Sequence, residues 1–185
     1  MDALRTRFAL PRFLLALLAF PSAASAHRLD EYLQATLVAI EPAGVRLQID
    51  LTPGVAVADL LLAGIDRDHD GAISRGEAAA YAGKLKGDLA LRLDGRILEL
   101  ALASSEWPAP ADLREGVGII QMEFSASYAR LGAGAHRLAF ENRHLPAVSV
   151  YLINAALPLS RAIRIVRQRR SDTQATGEID FTVVP

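Results

Sequence analysis

Val45-Arg-Leu-Gln-Ile-Asp-Leu51 alternates apolar and polar residues without a break. Successive side chains leave an extended chain on opposite faces, so this period of two marks a half-buried β-strand. Working outward, Leu33, Ala35, Leu37 and Ala39 repeat the period upstream as a second row expected to face the core. Downstream, Leu89, Leu91 and Leu93 lead into Asp94-Gly95 and then Leu98, Leu100 and Leu102. An Asp-Gly pair between alternating runs is the strongest short-range hairpin signal, because a type I′ turn needs positive φ at both central residues. Further inward rows follow: Ile120, Met122, Phe124 and Ala126; Leu138 and Phe140; Val148, Val150 and Leu152; Ile163 and Ile165; Ile179, Phe181 and Val183. Eight or nine short strands separated by turn residues predict a mainly β protein, an antiparallel β-sandwich. Ser104 to Gly116, containing Trp107-Pro108-Ala-Pro110, carries no pattern and is expected as a long loop. No internal repeat, low-complexity tract or second-domain linker interrupts residues 27–185, which read as a single domain.

One segment breaks the strand period, at about 53–87, between the second and third strands. Thr52-Pro53 has the form of an N-cap followed by Pro at the first helical position. Val57, Leu61, Leu62 and Ile65 then fall at helical spacing. Glu77-Ala-Ala-Ala-Tyr-Ala-Gly-Lys-Leu-Lys86 is rich in helix formers and is expected to stop near Gly87. The insertion therefore reads as helix–loop–helix.

Its loop is Asp66-Arg-Asp-His-Asp-Gly-Ala-Ile-Ser-Arg-Gly-Glu77. Asp66, Asp68 and Asp70 sit at alternate positions, so a tightly wound turn aims three carboxylates at one point. Gly71 meets the sharp bend that a Cβ would oppose. This pattern resembles the calcium loop of the EF-hand superfamily at positions 1, 3, 5, 6, 8 (Ile73) and 12. The resemblance implies a Ca²⁺ site formed by Asp66, Asp68, Asp70, the Ala72 carbonyl, a Ser74 oxygen (direct or through water) and a bidentate Glu77. Ca²⁺ takes roughly 6–8 oxygens at about 2.3–2.6 Å, and a bidentate carboxylate suits it better than the strict octahedron of Mg²⁺. His69, at position 4, is expected to be solvated. No second Asp-x-Asp-x-Asp-Gly occurs, so Ile73 lacks its usual pairing partner and is expected to pack on the rest of the domain.

Arg5, Arg7 and Arg12 precede the apolar run Phe13–Phe20, and Pro21-Ser-Ala-Ala-Ser-Ala26 follows it. A basic start, a short apolar run and an Ala-x-Ala site describe a signal peptide over residues 1–26. The run is well short of the ~20 residues a membrane span needs. Cleavage after Ala26 would leave 159 residues; losing three Arg and Asp2 moves the net charge from −1 to −3. The expected location is periplasmic or secreted. With no Cys, export here does not bring disulfide stapling. Extracellular modules commonly hold Ca²⁺ at about 10⁻⁴–10⁻³ M, which outside the cytosol makes a structural clamp rather than a switch.

Other chemistry has less support. There is no Gly-x-Ser-x-Gly, no His-Glu-x-x-His and no Cys, so the chain is expected not to be an enzyme. Arg161, Arg164, Arg167, Arg169 and Arg170 form a basic run, but on a strand they divide between two faces. With a net acidic chain, they read as a solvated edge strand and exclude nucleic acid. An alternative assigns metal handling to His27: as a new N-terminus it would offer an amine and an imidazole to copper or nickel, with His136 or His144 as partner. That arrangement resembles periplasmic copper carriers and copper-dependent polysaccharide monooxygenases. The opening His27-Arg-Leu-Asp-Glu-Tyr-Leu33, with the acidic loop in a sandwich, is similar to extracytoplasmic regions of HupE/UreJ-like and nickel/cobalt exporter-like proteins. This weaker resemblance implies a detached periplasmic domain serving an envelope or membrane-transport partner.

Overall fold

The computed structural model describes residues 30–185; the expected signal peptide and His27 lie outside them. In chain order the elements are β1 (Tyr32–Glu41), β2 (Gly44–Pro53), α1 (Val55–Ile65), α2 (Arg75–Asp88), β3 (Leu89–Leu93), β4 (Arg96–Ile97) and β5 (Ala101–Glu106). Then come α3 (Pro110–Arg114), β6 (Ile120–Ser127), β7 (Gly134–Asn142), β8 (Ser149–Ala155), β9 (Ile163–Arg170) and β10 (Thr176–Val183). They form two five-stranded sheets, β5-β6-β2-β1-β8 and β4-β3-β7-β10-β9, a β-sandwich. Leu47, Ile49, Met122 and Phe124 from the first sheet share one core with Leu91, Leu138, Ile179 and Phe181 from the second. The pairings are antiparallel with one exception: β8 lies parallel to β1.

Two rows of side chains face the opposite way from the sequence expectation. In β1 the core receives Tyr32, Gln34, Thr36, Val38 and Ile40, while Leu37 is exposed and Leu33, Ala35 and Ala39 are half-buried. The neighbouring strand decides this. β2 turns Val45, Leu47, Ile49 and Leu51 inward, and these pair with Ile40, Val38, Thr36 and Gln34. Directly paired residues share a face, and a slip of one residue would reverse the whole strand. β8 follows β1: Tyr151 and Ile153, opposite Gln34 and Thr36, point inward in place of Val150 and Leu152, while Val148, just before the strand, packs half-buried against the core as expected.

The Asp94-Gly95 turn has both residues at positive φ, 49° and 82°, as a type I′ hairpin requires. Its second strand is only Arg96–Ile97, however. The chain then crosses to the other sheet, where Ala101–Glu106 pairs with β6 and leaves Leu102 exposed. Residues 104–116 are also more ordered than expected. Ser104–Glu106 complete β5, and Pro110 opens α3, whose Leu113 is fully buried.

Two helices occupy the place between β2 and β3. Thr52 and Pro53 belong to β2, opposite Leu33 and Tyr32, and α1 starts later, capped at Gly54. Ladder pairing with β1 outweighs the local capping signal. α1 buries Val57, Ala58, Leu61, Leu62 and Ile65; α2 buries Tyr81, Ala82 and Leu85. α2 passes through Gly87 to Asp88 and enters β3 directly. Among the described residues no helix is long and apolar enough to cross a membrane.

The arginines of β9 are more engaged than a solvated edge. Asp180 on β10 binds Arg137, Arg167 and Arg169 at 2.7, 3.2 and 2.8 Å, and Glu178 binds Arg169 at 2.7 Å. Gln168 accepts from the Ala155 N–H and donates to the Ile153 carbonyl, which also accepts from Arg170. Side chains of β9 thus cover the open main-chain edge of β8, where a free edge would invite another strand.

Candidate metal centre

α1 ends at Ile65, which is fully buried, and Asp66 follows immediately, itself only 8% exposed. Asp66 receives two main-chain N–H groups, from Asp70 on one carboxylate oxygen (3.2 Å) and from Gly71 on the other (3.0 Å). Asp68 accepts from Asp70 N–H and Asp70 from Ala72 N–H. Short polar side chains that bond their own backbone stabilise such turns. The winding needs left-handed backbone at His69 and Gly71, with φ of 59° and 82°. As a result Asp66, Asp68 and Asp70 each bring one carboxylate oxygen within 4.8 Å of the others. His69 is exposed, and Ile73 packs against the core.

The loop closes on α2. Ser74 caps the helix by accepting the Glu77 N–H, and Glu77 Oε2 accepts the Ser74 N–H and hydroxyl in return. This reciprocal box satisfies two N–H groups at the helix start. Glu77 Oε1 reaches across to the Arg67 N–H at 2.6 Å, beside Asp66. The Ser74 N–H above all, then its hydroxyl and the Arg67 N–H, hold the Glu77 carboxyl down at about 2. The three aspartates therefore form one oxygen cluster, while Glu77 and Ser74 are bonded to each other at the rim. Ala72 gives its N–H to Asp70. Three convergent hard anions on a turn with an open face suit a hard divalent cation.

At the other end of α2 lies a polar cluster with no local sequence signature. His144, fully buried, sets Nδ1 2.7 Å from the Asp88 carboxylate and Nε2 2.9 Å from the Tyr81 hydroxyl. The Tyr81 hydroxyl is in turn 2.8 Å from that of Tyr32. Burial raises both phenols and lowers His144 despite Asp88. The imidazole is accordingly neutral, Nδ1–H donates to Asp88, Nε2 accepts from Tyr81, and Tyr32 donates to Tyr81. The His144 carbonyl accepts from Gln34, Ser149 and Tyr151, and Asn142 bridges Gln34 to the His144 N–H. Among the described residues no buried side-chain N or O lacks a partner. Tyr32, Tyr81 and His144 are buried while Asp88 is half-buried, and the cluster joins α2 to β1, β7 and β8. Its only trace in the sequence is the polar pair Gln34 and Thr36 inside an otherwise apolar alternation.

The histidines named as partners for His27 are both engaged. His136 faces two acceptors, Asp94 at 2.7 Å and the Gly132 carbonyl at 3.1 Å. Its hydrogen bond to Asp94 raises its pKa, and an imidazolium donating from both nitrogens satisfies both acceptors. His144 is committed through both nitrogens as described. Comparisons of the chain with protein-family models, with curated proteins and with solved structures found no match.

Proposed function

We propose that this is an exported, non-enzymatic calcium-binding protein, in which one Ca²⁺ held by an EF-hand-like loop clamps two helices to a β-sandwich. The supporting observation is the convergence of Asp66, Asp68 and Asp70 within 4.8 Å, with Glu77 reaching over the same turn from α2. The cation replaces mutual repulsion of the carboxylates with coordination. Glu77 would exchange its bonds to Ser74 and Arg67 for the metal, with the Ala72 carbonyl and Ser74 completing the shell. The basic, apolar, Ala-x-Ala character of residues 1–26 supports a periplasmic or secreted location. There the clamped domain would present a surface to an envelope or membrane-transport partner.

Titration calorimetry of the metal-stripped protein tests this. One Ca²⁺ per chain is expected, with a dissociation constant on the order of 10⁻⁴–10⁻³ M or tighter, weaker response to Mg²⁺, and loss of the heat in Asp66→Asn. A flat titration with millimolar Ca²⁺ and a thermal melt unmoved by chelator would overturn the proposal.

A further inference from the structure

The β8–β9 connection carries two leucines that no part of the fold covers: Leu157 is 92% exposed and Leu159 88%, one on each side of Pro158. The segment is pinned at both ends. Ala156 N–H bonds the Val38 carbonyl, Ile163 N–H bonds the Ser160 carbonyl, and Val184 N–H bonds the Ala162 carbonyl. Pro158 further restricts the backbone between the leucines. Two large apolar side chains are therefore held out into solvent, where a folded chain gains nothing from them.

Their surroundings say what they fit. The β1–β2 turn lies at the same end of the sandwich, and Leu131 N–H bonds the Pro42 carbonyl there, placing Arg130 beside it. Arg161 follows the leucines in the same connection, and Arg164 lies just inside β9. All three arginines are exposed, and none joins an ion pair within 4 Å among the described residues. The nearby acids are already matched, Glu41 by Arg46 at 2.8 Å and Asp94 by His136 at 2.7 Å. Apolar tips at the same end of the sandwich as three unpaired cations complement one surface well: a bilayer with anionic headgroups, which takes the leucines at the acyl boundary and the guanidiniums at the phosphates. We infer that the Leu157-Pro158-Leu159 tip, with Arg130, Arg161 and Arg164, is a docking site for an anionic lipid surface. The helix pair and acidic loop lie at the far end of the strands, so docking is independent of the calcium reading.

Co-sedimentation with vesicles of phosphatidylcholine, with and without phosphatidylglycerol, tests the inference. The protein isolated after export is used, in chelator, so that neither Phe13–Phe20 nor calcium carries the signal. Binding is expected to anionic vesicles and to weaken with salt. Each Arg→Ala change should lower it by about fivefold, and Leu157→Ser with Leu159→Ser by tenfold or more. An unchanged circular dichroism spectrum and melting point show that these exposed substitutions leave the fold intact. Equal sedimentation of parent and double-leucine variant overturns the proposal. So does absence of binding to anionic vesicles. Self-association of the parent, abolished by the leucine changes and seen by sedimentation velocity without lipid, would assign the tip to a second copy and likewise overturn it.

Discussion

The two ends of α2 do opposite things with polar side chains. At its start, Ser74 and Glu77 close a loop of charges that is largely open to water and built from residues adjacent in the chain. At its finish, Asp88 and Tyr81 join His144, Tyr32, Gln34 and Asn142, drawn from distant parts of the chain and, apart from the half-buried Asp88, closed to solvent. The difference teaches where each end draws its stability. An exposed anionic turn gains little for the fold until a cation enters, because water screens and solvates its charges. A buried, fully bonded network contributes continuously, because any missing member strands a partner without water.

The most severe test of that contrast is His144→Ala. It empties a fully buried site and leaves the Tyr81 hydroxyl and the His144-facing oxygen of Asp88 without their partner. A loss of about 3 kcal/mol is expected in urea unfolding, equal with Ca²⁺ or with chelator. A loss below about 1 kcal/mol would mean that the network is no strut.

Calcium should act at the opposite end. A ligand at a hundredfold excess over its dissociation constant, bound only to the folded state, adds about 2.7 kcal/mol. The melting point should rise by several degrees, and Asp66→Asn or Glu77→Gln should shrink the rise. If the two ends are independent, Glu77→Gln and His144→Asn should combine additively to within about 0.5 kcal/mol. Strong coupling would show that α2 transmits between them.

Two glycines sharpen the role of backbone shape in the loop. Neither Gly71 nor Gly64 has any atom within 4 Å of where a Cβ would stand, but Gly71 alone has φ of +82°. Gly71→Ala should therefore cost about 1–2 kcal/mol through backbone strain. Gly64→Ala, in α1, should stabilise by roughly 0.5–1 kcal/mol. Chemical denaturation of both variants measures the pair.

The smallest expected effect is one of pH. Burial depresses the His144 pKa below its ordinary 6.5, so the unfolded chain takes up a proton before the folded one. Its contribution is complete above about 6.5 and declines as acidification passes from there towards the folded value. His144→Asn should flatten the melting-point profile across that window. An unchanged slope would place the titration elsewhere.

The acidic turn was readable because its chemistry is local: alternate aspartates, a glycine at the bend and a glutamate one helical turn inside α2 determine one another at short range. The strands of β2, β6 and β7 were readable for a similar reason, since each has one plainly apolar face. β1 and β8 were misread because both of their faces carry apolar residues, and only pairing chooses between them. Leu33 and Leu37 look more like core than Gln34 and Thr36. Yet Gln34 is inside because Leu51 opposite it is inside, and because Asn142, Ser149 and the His144 carbonyl satisfy its amide. The β5 crossover and α3 went unseen because their partners, β6 and α1, lie outside any local window.

Side-chain periodicity and short-range turn chemistry were enough to specify a sheet-rich chain with a helical, acidic insertion, since both act over a few residues. Which face of β1 is buried, the parallel seating of β8, the clamp of β9 side chains on its edge and the His144 cluster were settled only by assembly. Each depends on hydrogen-bond partners brought together from distant parts of the chain, and a buried polar atom accepts its position only when those partners arrive.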